Sequence, residues 1–385
     1  MKGSPLSAIW TFPTVVFSAF LMAWGAEAAQ FLIAQGLALA LLAWLQTLPE
    51  FAVEAVIAWK AGQDPSLTHL VIANFTGSIR LLVGLGWPMV GLIHSISRKM
   101  KGGRLLENIY LEEEHSVEIY GMLVPMLYFL LIWGKGTLTV FDGIILIAMY
   151  VAYILVLLRL PHKEMEEAED LPVAARWALK GNRKLVQWLK VLALLFLGAF
   201  LIFLVAEPFV TSMLAVAVYF GVSEFFFVQW VAPFLSEFPE KVSAFNWARQ
   251  PTKATMGIMN FVSSNINQWS VLSGLIPIIF AISHGHMAPI VLDTLQKHEI
   301  MLTFAQSLFA FTILMDMAFS FWEAIILFIL FAVQFLFPST RIVVTYLYFA
   351  ASAFVLLRLM IEGKAYQSIR ALHRVWTTRV IRTVK

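Results

Sequence analysis

The chain has 385 residues, of which 60% are hydrophobic and only 13% are charged, and its mean hydropathy is +0.80. A soluble protein of this length could not hydrate so apolar a surface, so the composition predicts an all-α polytopic membrane protein. The formal net charge of +3 is too small to indicate a nucleic-acid partner, and the absence of cysteine excludes disulfides, thiolate metal sites and cysteine nucleophiles.

Apolar runs of spanning length recur along the whole sequence. The predicted spans are 8–30, 33–60, 67–96, 117–134, 138–159, 187–217, 223–247, 255–282, 299–319, 321–337 and 341–361. The first run is long and follows a weakly basic start, so it is predicted to be a retained span rather than a cleaved signal peptide. The pair within 299–337 is close enough to form a hairpin, which leaves 10 or 11 transmembrane helices.

Lysine and arginine are concentrated in the connections after spans three, five, seven and eleven. They are Arg98, Lys99, Lys101 and Arg104, then Lys163, Arg176, Lys180, Arg183 and Lys184, then Arg249 and Lys253, and finally Arg370, Arg374, Arg379, Arg382 and Lys385. With eleven spans, all four clusters fall on one face of the membrane. An excess of these residues marks the cytoplasmic side, so we predict an outside N-terminus and a cytoplasmic C-terminus in an inner or plasma membrane.

The chain is predicted to have four parts. Residues 1–160 form an N-terminal membrane half, 161–186 a charged cytoplasmic loop, 187–340 a C-terminal membrane half, and 341–385 an extra span with a basic cytoplasmic tail. Each half has five spans. A duplicated unit with an odd number of spans inserts the second time in the opposite orientation, so an inverted repeat is predicted.

Each half carries a Pro-Glu step inside an apolar run and an Asn-Phe-x-x-Ser step in the next run. Proline frees a backbone carbonyl, which at membrane depth must face protein or a water-filled cavity. A hard cation can use such carbonyls together with carboxylate, hydroxyl and amide oxygens. The residues that could supply these oxygens are Thr47, Glu50, Asn74 and Ser78 in the first half, and Ser236, Glu237, Glu240, Asn260 and Ser264 in the second.

A single Pro-Glu step could mark only a helix start at a loop. Its occurrence in both halves favours a cation site instead, because paired broken helices are typical of secondary transporters that bind their cargo near the midplane.

At these residues the chain resembles the sodium/calcium exchanger family, the cation/calcium antiporters. The two α-repeats of that family centre on Gly-Thr-Ser-x-Pro-Glu and then Gly-Asn-x-x-Gly-Ser-Asn. The matching positions are Thr47, Pro49, Glu50, Asn74, Gly77 and Ser78, then Gly221-Val222-Ser223-Glu224, Pro239, Glu240, Asn260, Ser264 and Asn265. The resemblance implies ten core helices, with spans two, three, seven and eight around the cations and the first and sixth spans sliding over them. It implies that Glu50 and Glu240 are the principal metal ligands and that Gln268 adds a polar group.

The chain also departs from the family pattern. Leu45-Gln46 stands where the motif has Gly-Thr, and Leu82 occupies the first-half position that is Gln268 in the second half. Arg80 follows Ser78 by two residues, and Glu54 lies one turn after Glu50. We therefore predict that Arg80 pairs with Glu54 or Glu50 as a charge-compensating group, which would reduce the number of bound cations or replace sodium with a proton.

These features predict a secondary antiporter that moves calcium or another cation in exchange for sodium or protons. Its implied partners are the transported ions and the lipid bilayer, with no resident cofactor and no enzymatic activity. Two alternatives remain open: a non-transporting relative whose pore is sealed by Arg80, and a membrane-embedded enzyme that uses Glu237 and Glu240 as acid and base. A measurement of ion flux separates the antiporter from the non-transporting relative, whereas an enzyme would turn over substrate in detergent without a gradient.

Overall fold

The computed structural model describes residues 4–32, 47–103, 106, 108–160, 171–181, 183–250 and 252–381, and almost all regular structure within them is helical. The first helices are α1 (Ala8–Ala29), α2 (Leu48–Gln63), α3 (Thr68–Leu81), α4 (Trp87–Met100), α5 (Ser116–Lys135) and α6 (Val140–Leu157). They are followed by α7 (Val173–Leu179), α8 (Lys184–Phe220), α9 (Glu224–Ser236), α10 (Phe238–Ala248), α11 (Ala254–Asn267) and α12 (Ser273–His284). The last four are α13 (Thr294–Ile313), α14 (Phe321–Leu336), α15 (Arg341–Ile361) and α16 (Gln367–Val375).

The predicted all-α polytopic class is confirmed. Among the described residues, 8 helical stretches are long and apolar enough to cross a membrane, and α14 is a shorter apolar helix of 16 residues. The predicted span 223–247 is divided into α9 and α10, with a break at Glu237. Residues 33–46 of the second predicted span lie outside the described residues, as do 161–170 of the charged loop and the basic residues Arg104, Arg382 and Lys385.

The chain forms two compact units, each of which draws on both predicted halves. Unit 1 contains Met1–Asn74 and Ile154–Glu240, and its main contact is between α1 and α8. The hydroxyls of Thr11 and Ser212 lie 2.8 Å apart, and the Ser18 hydroxyl donates to the Gly198 carbonyl at 2.7 Å. The two helices therefore run antiparallel. A Cβ on Gly198 would lie 3.0 Å from the Ser18 carbonyl oxygen, so this close approach depends on a small residue.

Unit 2 contains Phe75–Tyr153 and Lys241–Lys385 and holds four two-residue strands that the sequence did not predict. They are β1 (Ile109–Tyr110), β2 (Thr137–Leu138), β3 (Ile290–Val291) and β4 (Ala318–Phe319). Strands β1 and β2 flank α5, and β3 and β4 flank α13. The antiparallel pairs are β1 with β4 and β2 with β3. The start of α5 therefore lies beside the end of α13, and the end of α5 lies beside the start of α13. Such antiparallel packing of equivalent helices is what an inverted repeat requires.

The helices α3 and α11 have the same internal architecture. Each begins six residues before the Asn of its Asn-Phe pair, at Asn74 or Asn260. Each changes to a π-helical turn eight residues after that Asn, over Leu82–Gly86 in the first case and Gln268–Leu272 in the second. The duplication that the motifs indicated therefore extends to a local irregularity of the backbone.

The tail of the chain forms a helix that packs on the start of the α5 span. Arg374 donates to Glu113 at 2.7 Å, and Arg379 lies 3.3 Å from Glu114. Ala371 and Val375 are buried on the inner face of α16. The predicted basic tail is therefore an ordered element of unit 2 up to residue 381.

Replacing Gly274 with valine is expected to lower stability by roughly 1–3 kcal/mol, because extra volume at a close-packed crossing forces backbones apart. A Cβ on Gly274 would lie 2.8 Å from the carbonyl oxygen of Gly143, where α12 meets α6. Thermal unfolding in detergent measures the loss. Gly134→Val is the matched control, since a Cβ there meets nothing within 4 Å. Equal melting temperatures for the two variants would contradict the expected crowding.

Candidate cation-binding site

The helices that carry the two Pro-Glu steps begin in the same way. α2 opens with Leu48-Pro49-Glu50 and α10 with Phe238-Pro239-Glu240. Proline is tolerated in the first turn, where its missing N–H would have had no helical partner. Each glutamate then lies in the first turn of its helix, at the positive end of the macrodipole. The steps do mark helix starts, as the simpler interpretation held, but Glu50 and Glu240 are only 4% and 7% exposed.

Unit 1 holds seven of the residues singled out from the sequence, and all are buried. They are Thr47, Glu50, Glu54, Asn74, Ser236, Glu237 and Glu240. In this unit α9, which ends at Ser236, packs against α2. The Ser236 hydroxyl donates to the Ala232 carbonyl at 3.1 Å, which leaves its oxygen lone pairs free to accept. The four carboxylates among these residues are costly in an apolar unit unless cations or protons compensate them.

Glu54 and Asn74 form a buried polar pair within unit 1. The Asn74 amide donates to one carboxylate oxygen of Glu54. The other carboxylate oxygen of Glu54 and the amide oxygen of Asn74 are buried and have no hydrogen-bond partner among the described residues. Both are hard oxygen atoms of the kind that calcium and sodium prefer.

Unit 2 holds the other four predicted ligands. Ser78, Ser264 and Gln268 are buried, and Asn260 is half-buried. The Gln268 amide donates to the Ser78 hydroxyl at 2.6 Å. The polar residue that follows the second motif thus meets the serine of the first motif. No three Asp, Glu or His side chains converge on a possible metal position in the part of the chain that the structure describes.

Arg80 is fully buried in unit 2, where it pairs with Glu299 rather than with the predicted Glu54. Its guanidinium forms an ion pair with Glu299 of α13, and Arg341 at the start of α15 binds the other oxygen of the same carboxylate. Glu54 has Asn74 as its partner instead. The prediction failed because it paired Arg80 with the carboxylates of the recognised motif. Glu299, more than 200 positions away in sequence, carried no local sign of contact.

Sequence reasoning missed four polar residues around Arg80. They are Glu299, Gln306, Gln334 and Arg341. The sequence did contain a sign of them. Each is a polar residue within or at the start of a predicted span, where a polar side chain is costly.

The fold and these buried polar groups define a polytopic membrane transport protein with a duplicated pair of helices. A family described as "Sodium/calcium exchanger protein" matches residues 4–159 and 190–340. The chain therefore belongs to the sodium/calcium exchanger family, as its motifs predicted.

Solved structures agree with this assignment. The chain is similar to the crystal structure of the H+/Ca2+ exchanger CAX, with 32% identity over 97% of this chain and 92% of that chain and a TM-score of 0.87. Native YfkE shares the fold with 16% identity over 90% and 92% of the two chains and a TM-score of 0.57. The sodium-calcium exchanger NCX_Mj does so with 16% identity over 85% and 96% and a TM-score of 0.53. Comparison with curated proteins returned no match.

Proposed function

We propose that the protein is a secondary antiporter that exchanges calcium for protons. The observation that carries this proposal is the pair of buried carboxylates, Glu50 and Glu240, at two helix starts of identical design. The similarity to an H+/Ca2+ exchanger over nearly the whole chain supports protons rather than sodium as the coupling ion. Calcium is the cargo and no resident cofactor takes part.

Charge balance gives a physical reason for this exchange. Two ionised carboxylates are neutralised equally well by one divalent cation or by two protons, so replacing one with the other leaves the net charge of the site unchanged. An uncompensated charge at membrane depth is costly, which disfavours the empty, ionised site and couples release of one ion to uptake of the other.

In this proposal Glu50 and Glu240 are the principal ligands in unit 1, where Thr47, Asn74, Ser236 and Glu237 supply further oxygens. The polar residues that the motifs predict as further ligands in unit 2 are Ser78, Asn260, Ser264 and Gln268. The basic clusters support a cytoplasmic C-terminus and an outside N-terminus, in an inner or plasma membrane.

The alternative in which Arg80 seals the pore is less well supported than transport. Its guanidinium is occupied by Glu299 and by Gln334 at 2.9 Å. The enzyme hypothesis, with Glu237 and Glu240 as acid and base, would leave the duplication of the Pro-Glu helix start without a purpose.

The purified protein, reconstituted in liposomes, is expected to take up calcium when a proton gradient is imposed. A sodium gradient of equal size is expected to give no uptake, and a protonophore should abolish the proton-driven signal. A calcium-sensitive dye inside the vesicles measures calcium uptake under each of the two gradients. Uptake driven only by sodium would overturn proton coupling. Absence of uptake under either gradient would instead favour a non-transporting relative.

A further inference from the structure

The π turns in α3 and α11 each have a side-chain donor at the same backbone position. A π turn interrupts the regular hydrogen-bond ladder of an α-helix, so contacts from outside that ladder help to define its geometry. The Arg80 carbonyl, two residues before the first π turn, accepts from the Gln306 amide at 3.2 Å. The Ile266 carbonyl, two residues before the second, accepts from the Ser270 hydroxyl. The two halves thus satisfy equivalent carbonyls by different means.

In the first half this donor belongs to a closed ring of hydrogen bonds. The Arg80 guanidinium donates to the Gln334 side-chain oxygen at 2.9 Å, and the Gln334 amide donates to the Gln306 side-chain oxygen at 3.0 Å. Gln306 then donates to the carbonyl of Arg80 itself. A guanidinium can only donate and a carbonyl can only accept, so the orientation of both glutamine amides is determined.

The ring is fully buried and ties three helices together. Arg80, Gln306 and Gln334 are each 0% exposed, and they come from α3, α13 and α14. Glu299 compensates the charge of Arg80. A polar network whose members are all satisfied specifies one geometry, because any displacement leaves a buried donor or acceptor without a partner.

The ring lies next to a candidate cation ligand. Ser78 precedes Arg80 by two residues on the same helix, and Gln268 is the first residue of the opposite π turn. The two side chains are joined by the 2.6 Å hydrogen bond between them. The position of Ser78 relative to Gln268 therefore depends on how firmly each π turn is held.

We propose that Gln306 and Gln334, acting with Arg80, are positioning residues that set calcium affinity by holding the α3 π turn. Ser270 has the same role for the α11 π turn. None of the four contacts the cation; they act through the backbone that carries Ser78 and Gln268. This inference rests on the proposed calcium transport.

Gln306→Met tests the proposal, since methionine keeps the length of the side chain and loses its donor. The change removes both side-chain hydrogen bonds of Gln306, and the expected result is a KM for calcium raised about three- to tenfold, with kcat close to that of the wild type. Ser270→Ala should raise the KM for calcium by a similar factor. Ser270→Thr keeps the hydroxyl, so its KM should stay near the wild-type value. Thr312→Val is the matched control on α13, because its hydroxyl bonds only carbonyls of its own helix and KM should not change.

Two measurements keep this test independent of transport. The melting temperature in detergent, with and without calcium alone, should show a smaller calcium-induced rise in Gln306→Met than in Thr312→Val. Hydrogen–deuterium exchange at residues 82–86 should be faster in Gln306→Met only. The proposal would be overturned if Gln306→Met and Ser270→Ala both had the wild-type KM and the wild-type calcium-induced rise in melting temperature. It would also be overturned if these variants were less stable but their KM was unchanged. A wild-type protein that neither transports nor responds to calcium would refute the proposed function itself, whatever the exchange rates of these variants.

Discussion

Replacing Glu240 with glutamine is expected to abolish calcium transport while leaving the protein folded. Glutamine keeps the shape of the side chain but loses the charge that compensates a bound cation. Loss of one buried charge partner costs at least about 3 kcal/mol, which corresponds to roughly hundredfold weaker binding. Glu50→Gln should have the same effect, because it occupies the same place in an identical helix start. Calcium uptake into liposomes, normalised to folded protein, measures the change.

Glu207→Gln is the control for this experiment. Glu207 is also a carboxylate on a membrane-spanning helix of unit 1, but its side chain is 70% exposed and lies 3.1 Å from Lys60. Its replacement is expected to leave transport near the wild-type level, because its side chain lies on the surface of the unit rather than among the buried carboxylates. If Glu240→Gln transported calcium normally, the site would lie elsewhere, and Glu237→Gln would be the next variant to measure.

Replacing Glu299 with glutamine is expected to cost about 3–5 kcal/mol of stability, the range for breaking a buried ion pair by removing one partner. Glu299 lies between Arg80 and Arg341 and forms an ion pair with each of them. Without it, two guanidinium groups would remain together in an apolar unit. Thermal unfolding in detergent, followed by size-exclusion chromatography, measures the loss.

The sign of the charge makes this prediction specific. Arg80→Met leaves Glu299 with Arg341, a pair without net charge, so it should be clearly less destabilising than Glu299→Gln. Glu362→Gln is the surface control, because Glu362 forms its ion pairs with Arg358 and Lys364 in an exposed position. Equal losses for Arg80→Met and Glu299→Gln would show that the cluster is held by packing rather than by charge.

Much of the candidate site could be predicted from sequence because its signals are local. A proline followed by glutamate inside an apolar run determines both where a helix begins and which charge lies in its first turn. That reasoning identified Glu50 and Glu240, and it identified α3 and α11 as the helices with matching Asn-Phe pairs. The π turns escaped prediction, because Leu82–Gly86 and Gln268–Leu272 share a backbone shape but no sequence pattern.

By itself, the sequence determined the membrane class, the duplication and the family. These follow from composition, from apolar runs of spanning length and from motifs of a few adjacent residues, all of which act within one helix or its ends. Only the tertiary structure decided that Arg80 pairs with Glu299, that Gln268 meets Ser78, and that the short strands around α5 pair with those around α13. Those contacts join residues between 152 and 219 positions apart. Their free energy depends on how every intervening helix packs, and no local pattern of hydropathy or spacing carries that information.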